Sequence, residues 1–161
     1  MGLRMFSKPA VGLIAMLGAA LTTGPAAADE SQKGLPVEQL VVTSGDREHV
    51  FTVEVASTDR QRAMGLMFRE EMDAEAGMLF LFDAEGERYF WMKNTPLPLD
   101  IIYIAASGSI VSIAADTVPF STDAIPSGAP AKYVLELNAG TAAKRGIVPG
   151  DRVASPSIAA E

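Results

Sequence analysis

Gly77-Met78-Leu79-Phe80-Leu81-Phe82 is apolar at every position. A strand with one wet face alternates polar and apolar residues, so an unbroken apolar run of this length needs cover on both faces. The acidic stretch Glu70 to Ala76 before it reads as a solvated loop, and Asp83 to Glu87 after it as a turn. A strand covered on both sides places this chain among layered β-rich folds.

Working outward, Leu35 to Thr43 and Val50 to Ala56 read as two strands joined by the turn Ser44-Gly45-Asp46. The second alternates, with Phe51, Val53 and Val55 on one face and Thr52 and Glu54 on the other. A short helix follows. Thr58 with Gln61 three residues on forms a capping box, and Asp59 suits the positive helix end. Met64 and Met67 share a face of this segment, and Gly65 ends the helix nearby.

Beyond the covered strand, Tyr89 to Lys93 reads as its hairpin return. Pro96 and Pro98 make Thr95 to Leu99 an extended or edge segment. Asp100 to Ala105 and Ser109 to Ala114 form another hairpin around Ser107-Gly108, and Thr117 to Pro130 is a long loop rich in Pro, Ser and Gly. Ala131 to Leu137 is a strand, Ala139 to Arg145 a helix capped by Gly146, and Arg152 to Ala154 a last strand after the turn at Pro149-Gly150. The expected fold is mostly β: a single compact antiparallel β-sandwich or barrel-like domain with two short helices.

The N-terminus carries an export leader pattern. Arg4 and Lys8 precede the apolar run Val11 to Leu21, Pro25 breaks any helix, and Ala26-Ala27-Ala28 provides small residues for cleavage before Asp29. The apolar run underspans a bilayer, which needs about 20 apolar residues, so no stable membrane insertion is expected after cleavage. The chain divides into a cleaved signal peptide at 1–28, a flexible mature N-terminus at 29–36, one domain at 37–154 and a disordered tail at 155–161. The location expected is periplasmic or extracellular. There is no cysteine, so neither disulfides nor lipidation at a cysteine can form.

Composition excludes several chemistries. Losing Arg4 and Lys8 with the leader leaves 11 basic against 20 acidic residues. Nucleic-acid affinity comes mainly from Lys and Arg, so a nucleic-acid partner is not expected. His49 is the only histidine, and no Gly-x-Ser-x-Gly elbow or phosphate-cradling glycine loop occurs. Zinc chemistry lacks its His and Cys ligands. Asp83, Glu85 and Glu87 flank Gly86 loosely in the manner of a calcium loop, but the spacing is wrong and the segment reads as a turn. No metal or cofactor is expected.

Four ordered motifs stand out: Arg60-Gln61-Arg62-Ala63-Met64-Gly65-Leu66-Met67, Gly77-Met78-Leu79-Phe80, Phe90-Trp91-Met92-Lys93-Asn94-Thr95-Pro96-Leu97-Pro98-Leu99-Asp100-Ile101-Ile102-Tyr103, and Val134-Leu135-Glu136-Leu137-Asn138-Ala139-Gly140. Together, across residues 37 to 154, they resemble the bacterial and archaeal domain-of-unknown-function family numbered 192. The resemblance implies a compact, mostly β, often exported domain, and no reaction or ligand.

The candidate binding residues are Arg62, Trp91, Lys93, Asn94, Asp100, Glu136 and Asn138. Alternation through Tyr89 to Lys93 puts Phe90 and Met92 on a core face and Tyr89, Trp91 and Lys93 on the other, where an aromatic beside a cation suits stacking and anion pairing. Asn94 begins an extended stretch and is also a plausible turn residue. Glu136 is expected to share a face with Val134 and Asn138, either paired with Arg62 or Lys93, solvated, or facing a ligand. Asn138 reads chiefly as a helix N-cap. The leading expectation is a small binding or accessory module of the cell envelope, its partner a small molecule or an envelope protein. The alternatives are an enzyme on carbohydrate or another envelope polymer using Asp100 and Glu136 across a cleft, and a protein-interaction domain docking through the 117–130 loop.

Overall fold

The computed structural model describes residues 30–158. The leader at 1–28, the cleavage point before Asp29 and residues 159–161 lie outside the described residues.

β1 (Val37–Ser44) and β2 (Arg47–Ala56) form the expected hairpin, with Val42 opposite His49 and Leu40 opposite Phe51. From β2 the chain passes through α1 (Asp59–Met64) into β3 (Ala76–Gly86), which returns parallel to β2. The sheet is therefore mixed, not antiparallel throughout. A parallel return needs a crossover of a dozen or more residues, and residues 57–75, carrying α1, provide it. The capping box forms as read: Thr58 Oγ1 accepts from the Gln61 N–H, and Gln61 Oε1 accepts from the Thr58 N–H.

β3 does not fold back on the next segment. Its antiparallel partner is β8 (Ala131–Asn138), with Gly77 opposite Leu137 and Met78 opposite Glu136. Tyr89 to Lys93 shrinks to β4 (Tyr89–Phe90), paired with β7 (Ile125–Pro126) in a separate two-stranded ribbon. A covered strand takes the apolar neighbour that buries both of its faces, and Ala131 to Leu137 supplies more buried surface than the short, partly exposed return segment.

β5 (Leu99–Ile104) pairs with β8 and with β6 (Ile110–Ala114), and β9 (Arg152–Ala154) pairs with β1. The full order is β6-β5-β8-β3-β2-β1-β9. This seven-stranded sheet curls into a half-barrel. Its two edges meet where Ser109 bridges Arg152, and the Ile110 N–H donates to the Asp151 carbonyl over 2.9 Å. At that seam Gly108 has φ +82°, and a Cβ added there would sit 2.7 Å from the Val153 carbonyl oxygen.

Curling gives two cores. The inner one gathers Leu40, Phe51, Leu79, Ile102, Leu135 and Leu137, with Ala142 from α2 (Thr141–Arg145). On the outer face Met78, Phe80, Ile101, Tyr103 and Val134 are covered by Leu66 and Met92. Each large side chain so buried contributes about 1.5–3 kcal/mol.

Both terminal segments belong to this packing. Gln32 Nε2 donates to the carbonyls of Gln61 and Gly65, so the segment before β1 is docked on α1, not free. Ile158 is buried in the inner core and Ser157 bonds the Glu38 carboxylate, so residues 155–158 are ordered, contrary to the expected tail. Val153 and Ile158 close one end of the inner core.

Gly77 fixes the closeness of β3 and β8. A Cβ there would lie 2.6 Å from the Glu136 carbonyl oxygen and 2.8 Å from Leu137 Cδ2. Gly77→Ala should therefore cost about 1–3 kcal/mol, read as a lower urea midpoint at unchanged slope. An unchanged midpoint would show that the strands tolerate wider separation.

Candidate functional site

The site is built on Glu136. Side chains alternate along β8, so Tyr133, Leu135 and Leu137 enter the inner core while Val134 and Glu136 face outward. Glu136 lies opposite Met78 of β3 and Ile101 of β5, both fully buried, and is itself 4% exposed. Among the described residues its carboxyl makes no hydrogen bond or ion pair. Burial alone pushes this carboxyl up to about 8.

Above it opens a cleft of about 400 Å³. α1 and the turn after it supply Arg62, Met64, Leu66 and Met67 to one wall. Gly65 ends α1 at φ +49°, where an added Cβ would lie 3.3 Å from the Phe80 ring, and the next residue, Leu66, is buried at 2% exposure. Phe80 and Phe82 of β3 form the base. Tyr89, Phe90 and Trp91 form the opposite wall. Phe90 meets Phe80, Phe82 and Tyr103 edge to face at 5.1, 6.5 and 5.9 Å, a geometry worth about 0.5–1.5 kcal/mol per pair beyond burial.

Of the residues singled out from the sequence, Arg62, Trp91 and Glu136 meet in this cleft. Neither Arg62 nor Lys93 pairs with Glu136. Arg62 Nη1 donates to the carbonyls of Ser57 and Leu81, Nη2 pairs with Asp59, and its guanidinium lies 5.0 Å from the centre of the Phe82 ring. Lys93 is exposed and stands 5.0 Å over the Trp91 ring. Tyr103, which shares the field of Glu136, spends its hydroxyl on the Ile125 carbonyl at 2.7 Å.

Asp100 is on the other side of the sheet. Ile101 is the partner of Glu136, and the neighbouring residue points through to the inner face, opposite Leu137. There Asp100 is fully buried, its Oδ1 accepting from the N–H groups of Asp116 and Gly140 at 3.0 and 3.1 Å and its Oδ2 from Ala142 at 2.8 Å. It anchors the start of α2. The two-carboxylate arrangement across one cleft does not form, and a glycosidase pair of Asp100 and Glu136 falls with it.

Asn138 is not the N-cap of α2, a place taken by Gly140 in the left-handed conformation. Its Nδ2 donates to the carbonyls of Met72 and Asp73, tying the acidic loop to the end of β8. Asn94 is a turn residue at φ +54° whose carbonyl accepts from the Phe68 N–H at 2.7 Å. Phe68 and Phe120 also have positive φ, at +63° and +62°, and the Phe120 N–H donates to the Thr95 carbonyl. Phe68 is thus tied to Asn94 and Phe120 to Thr95 beside it, so three left-handed non-glycine residues hold the chain around Asn94 and Thr95, a kind of strain that clusters at functional sites.

The cleft residues absent from the sequence reading are mostly apolar: Met64, Met67, Phe80, Phe82 and Phe90. Met64 and Met67 do share a face, as their spacing indicates, but nothing local distinguishes a phenylalanine lining a cleft from one filling a core. Glu85, for its part, accepts from the Ala106 N–H at 2.8 Å and serves the neighbouring turn.

Burial of Glu136 makes stability depend on pH. The folded chain holds this proton up to about pH 8 whereas the unfolded chain releases it near 4.5. Stability is therefore fullest below about pH 4.5 and declines from there to about pH 8, by roughly 1 kcal/mol per unit for this group. Glu136→Gln should remove that component, so its urea midpoint gains on the parent's from pH 5 to pH 8. Parallel profiles of the two proteins would show that Glu136 is solvated.

No curated protein matches the chain. A crystal structure from Sinorhizobium meliloti 1021, of a proposed transcription regulator, is 41% identical with TM-score 0.76, over 79% of this chain and 99% of that one. Another, of a protein of unknown function from Novosphingobium aromaticivorans DSM 12444, is 38% identical with TM-score 0.72, over 81% of this chain and 98% of that one. Residues 40–155 match the profile of DUF192, described as an uncharacterized ACR, and the chain belongs to that family.

Proposed function

We propose that this protein is an exported binding module of the cell envelope that takes a small molecule with an apolar body into the cleft over Glu136. The observation that carries the reading is the combination of an aromatic and methionine-lined cleft with one largely buried carboxyl that, among the described residues, no protein group satisfies. Ligand sites are concave, mostly apolar and equipped with few polar groups that orient the ligand. Methionines adapt to the shape of what they hold. Loading the cleft would replace solvent against Phe80, Phe82 and Phe90 and give the carboxyl a partner.

Export rests on the leader pattern at residues 1–28. A transcription-regulating role like that proposed for the Sinorhizobium protein finds little support here, because 20 acidic residues outnumber 13 basic ones and Arg62 is committed to carbonyls and to Asp59. If the bound molecule were consumed, and Glu136→Gln stopped its consumption, the carboxyl would be a general acid or base and the module an enzyme.

Trp91, the only tryptophan, lines the cleft and is 47% exposed, so its emission reports occupancy. Titration of residues 29–161 with 4-phenylbutanol should blue-shift that emission saturably and raise the melting temperature. Ala63→Phe, on the exposed side of α1 and at the cleft, should remove both responses while folding normally. Absence of any saturable response to neutral or charged phenylalkyl probes would overturn the cleft as a binding site. Expression of the full chain in a bacterium with an outer membrane should yield a periplasmic protein beginning at Asp29. Retention of residues 1–28 on a cytoplasmic product would overturn export.

A further inference from the structure

We propose that the cleft selects an organic cation, an alkyl or aralkyl ammonium whose charged end seats on Glu136 and whose apolar body lies among Phe80, Phe82, Phe90, Met64 and Met67. The inference rests on the cleft being a binding site and names the class of ligand it takes.

Among the buried polar or charged residues described, Thr95, Asp100, Thr117 and Ser127 all have side-chain hydrogen bonds within the protein. Glu136 has none. A carboxyl enclosed by apolar neighbours and open only to the cleft is costly to keep charged, and a fold using it only structurally brings a cation or donors to it, as this one does for Asp100. The cations that contact cleft-lining side chains are turned elsewhere. Arg62 is held by carbonyls and Asp59, Lys93 lies over Trp91 outside, and Arg88 spends Nε on the Ala131 carbonyl and its guanidinium on the Phe82 ring, 4.0 Å from the centroid. The place of the cation is left to a ligand.

The surrounding surface suits a positive charge. Aromatic faces attract cations through their quadrupole, and Phe82 already carries the guanidiniums of Arg62 and Arg88. The Arg62 charge is offset by Asp59, so the cleft presents Glu136 without a competing free cation. An ammonium on a carboxylate forms charge-assisted hydrogen bonds, roughly twice as strong as neutral ones. An anionic ligand would have to enter beside this carboxyl with no free guanidinium to receive it.

Binding is coupled to a proton. In the empty cleft the Glu136 carboxyl carries one; on binding, that proton leaves to solvent and the ammonium, with its own protons intact, takes the place opposite the carboxylate. The other ionisable groups facing the cleft are Asp59 and Arg62 from α1 and Tyr89 from β4, with Tyr103 beneath on β5 and Arg88 beside Phe82.

The test compares 4-phenylbutylamine, 4-phenylbutanol and 4-phenylbutanoate on residues 29–161, by Trp91 emission and calorimetry at pH 6, 7 and 8. The amine should bind at least tenfold tighter than the alcohol at pH 8. Its affinity should rise several-fold to about tenfold per pH unit from 6 to 8 with release of close to one proton, while the alcohol stays flat. Glu136→Gln should weaken the amine at least tenfold, abolish its pH dependence and leave the alcohol unchanged; the parent's pH profile makes the same reading without any substitution. If the alcohol equals the amine at pH 8, or the butanoate binds best, the cation assignment is overturned while the cleft remains a binding site. If none of the three gives a saturable response, the cleft reading falls and this inference with it.

Discussion

The structure follows from one requirement, that the central strands be covered on both faces. β5 and β8 carry buried side chains at nearly every position, and β3 does so over Gly77 to Phe80, so the sheet cannot present one side to water. Curling satisfies the inner face, because β6 and β9 come together around a common core. The outer face has only the two-stranded β4–β7 ribbon as a second sheet, through Phe90 and Ile125. It relies on α1, the turn after it, and the irregular chain from Tyr89 to Leu99 held by the 117–126 segment. Short irregular cover cannot match the shape of a sheet everywhere, and the cleft is where the match fails.

Glu136 lies at that failure. Its backbone lies where Gly77 allows β3 to approach β8 closely, and its side chain reaches a part of the outer face that packing leaves open. Asp100, one residue from its cross-strand partner, shows the other outcome for a buried carboxylate. Three backbone N–H groups converge on it, and it organises the entry to α2. Two acidic residues on adjacent strands thus do opposite work because strand alternation sends them to opposite faces.

That contrast shows how far local pattern carries. Alternation, capping boxes and turn residues locate the strands, α1 and α2 to within a few residues, because each depends on neighbours in sequence. The pairing of β3 with β8, and the parallel β2–β3 return, depend on which distant strand offers the better apolar face, and no local pattern states this. The same holds for the site. Trp91, Arg62 and Glu136 are visible as chemically unusual residues in apolar surroundings. Whether a carboxylate is met by amides, as at Asp100, or by none, as at Glu136, is decided by loops far away in the chain. Asn138 reads as a cap from its place before a helix, yet the carbonyls of Met72 and Asp73 reach it first.

The bracing of Phe68, Asn94 and Phe120 in left-handed conformations has a kinetic meaning. A loop wall that ordered only around its ligand would spend part of the contact energy on its own immobilisation and would slow encounter. Here the wall is already locked, by strained residues tied through main-chain bonds at Asn94 and Thr95. The cost of order is carried in the stability of the fold, and any molecule entering the cleft would meet a wall that is already ordered.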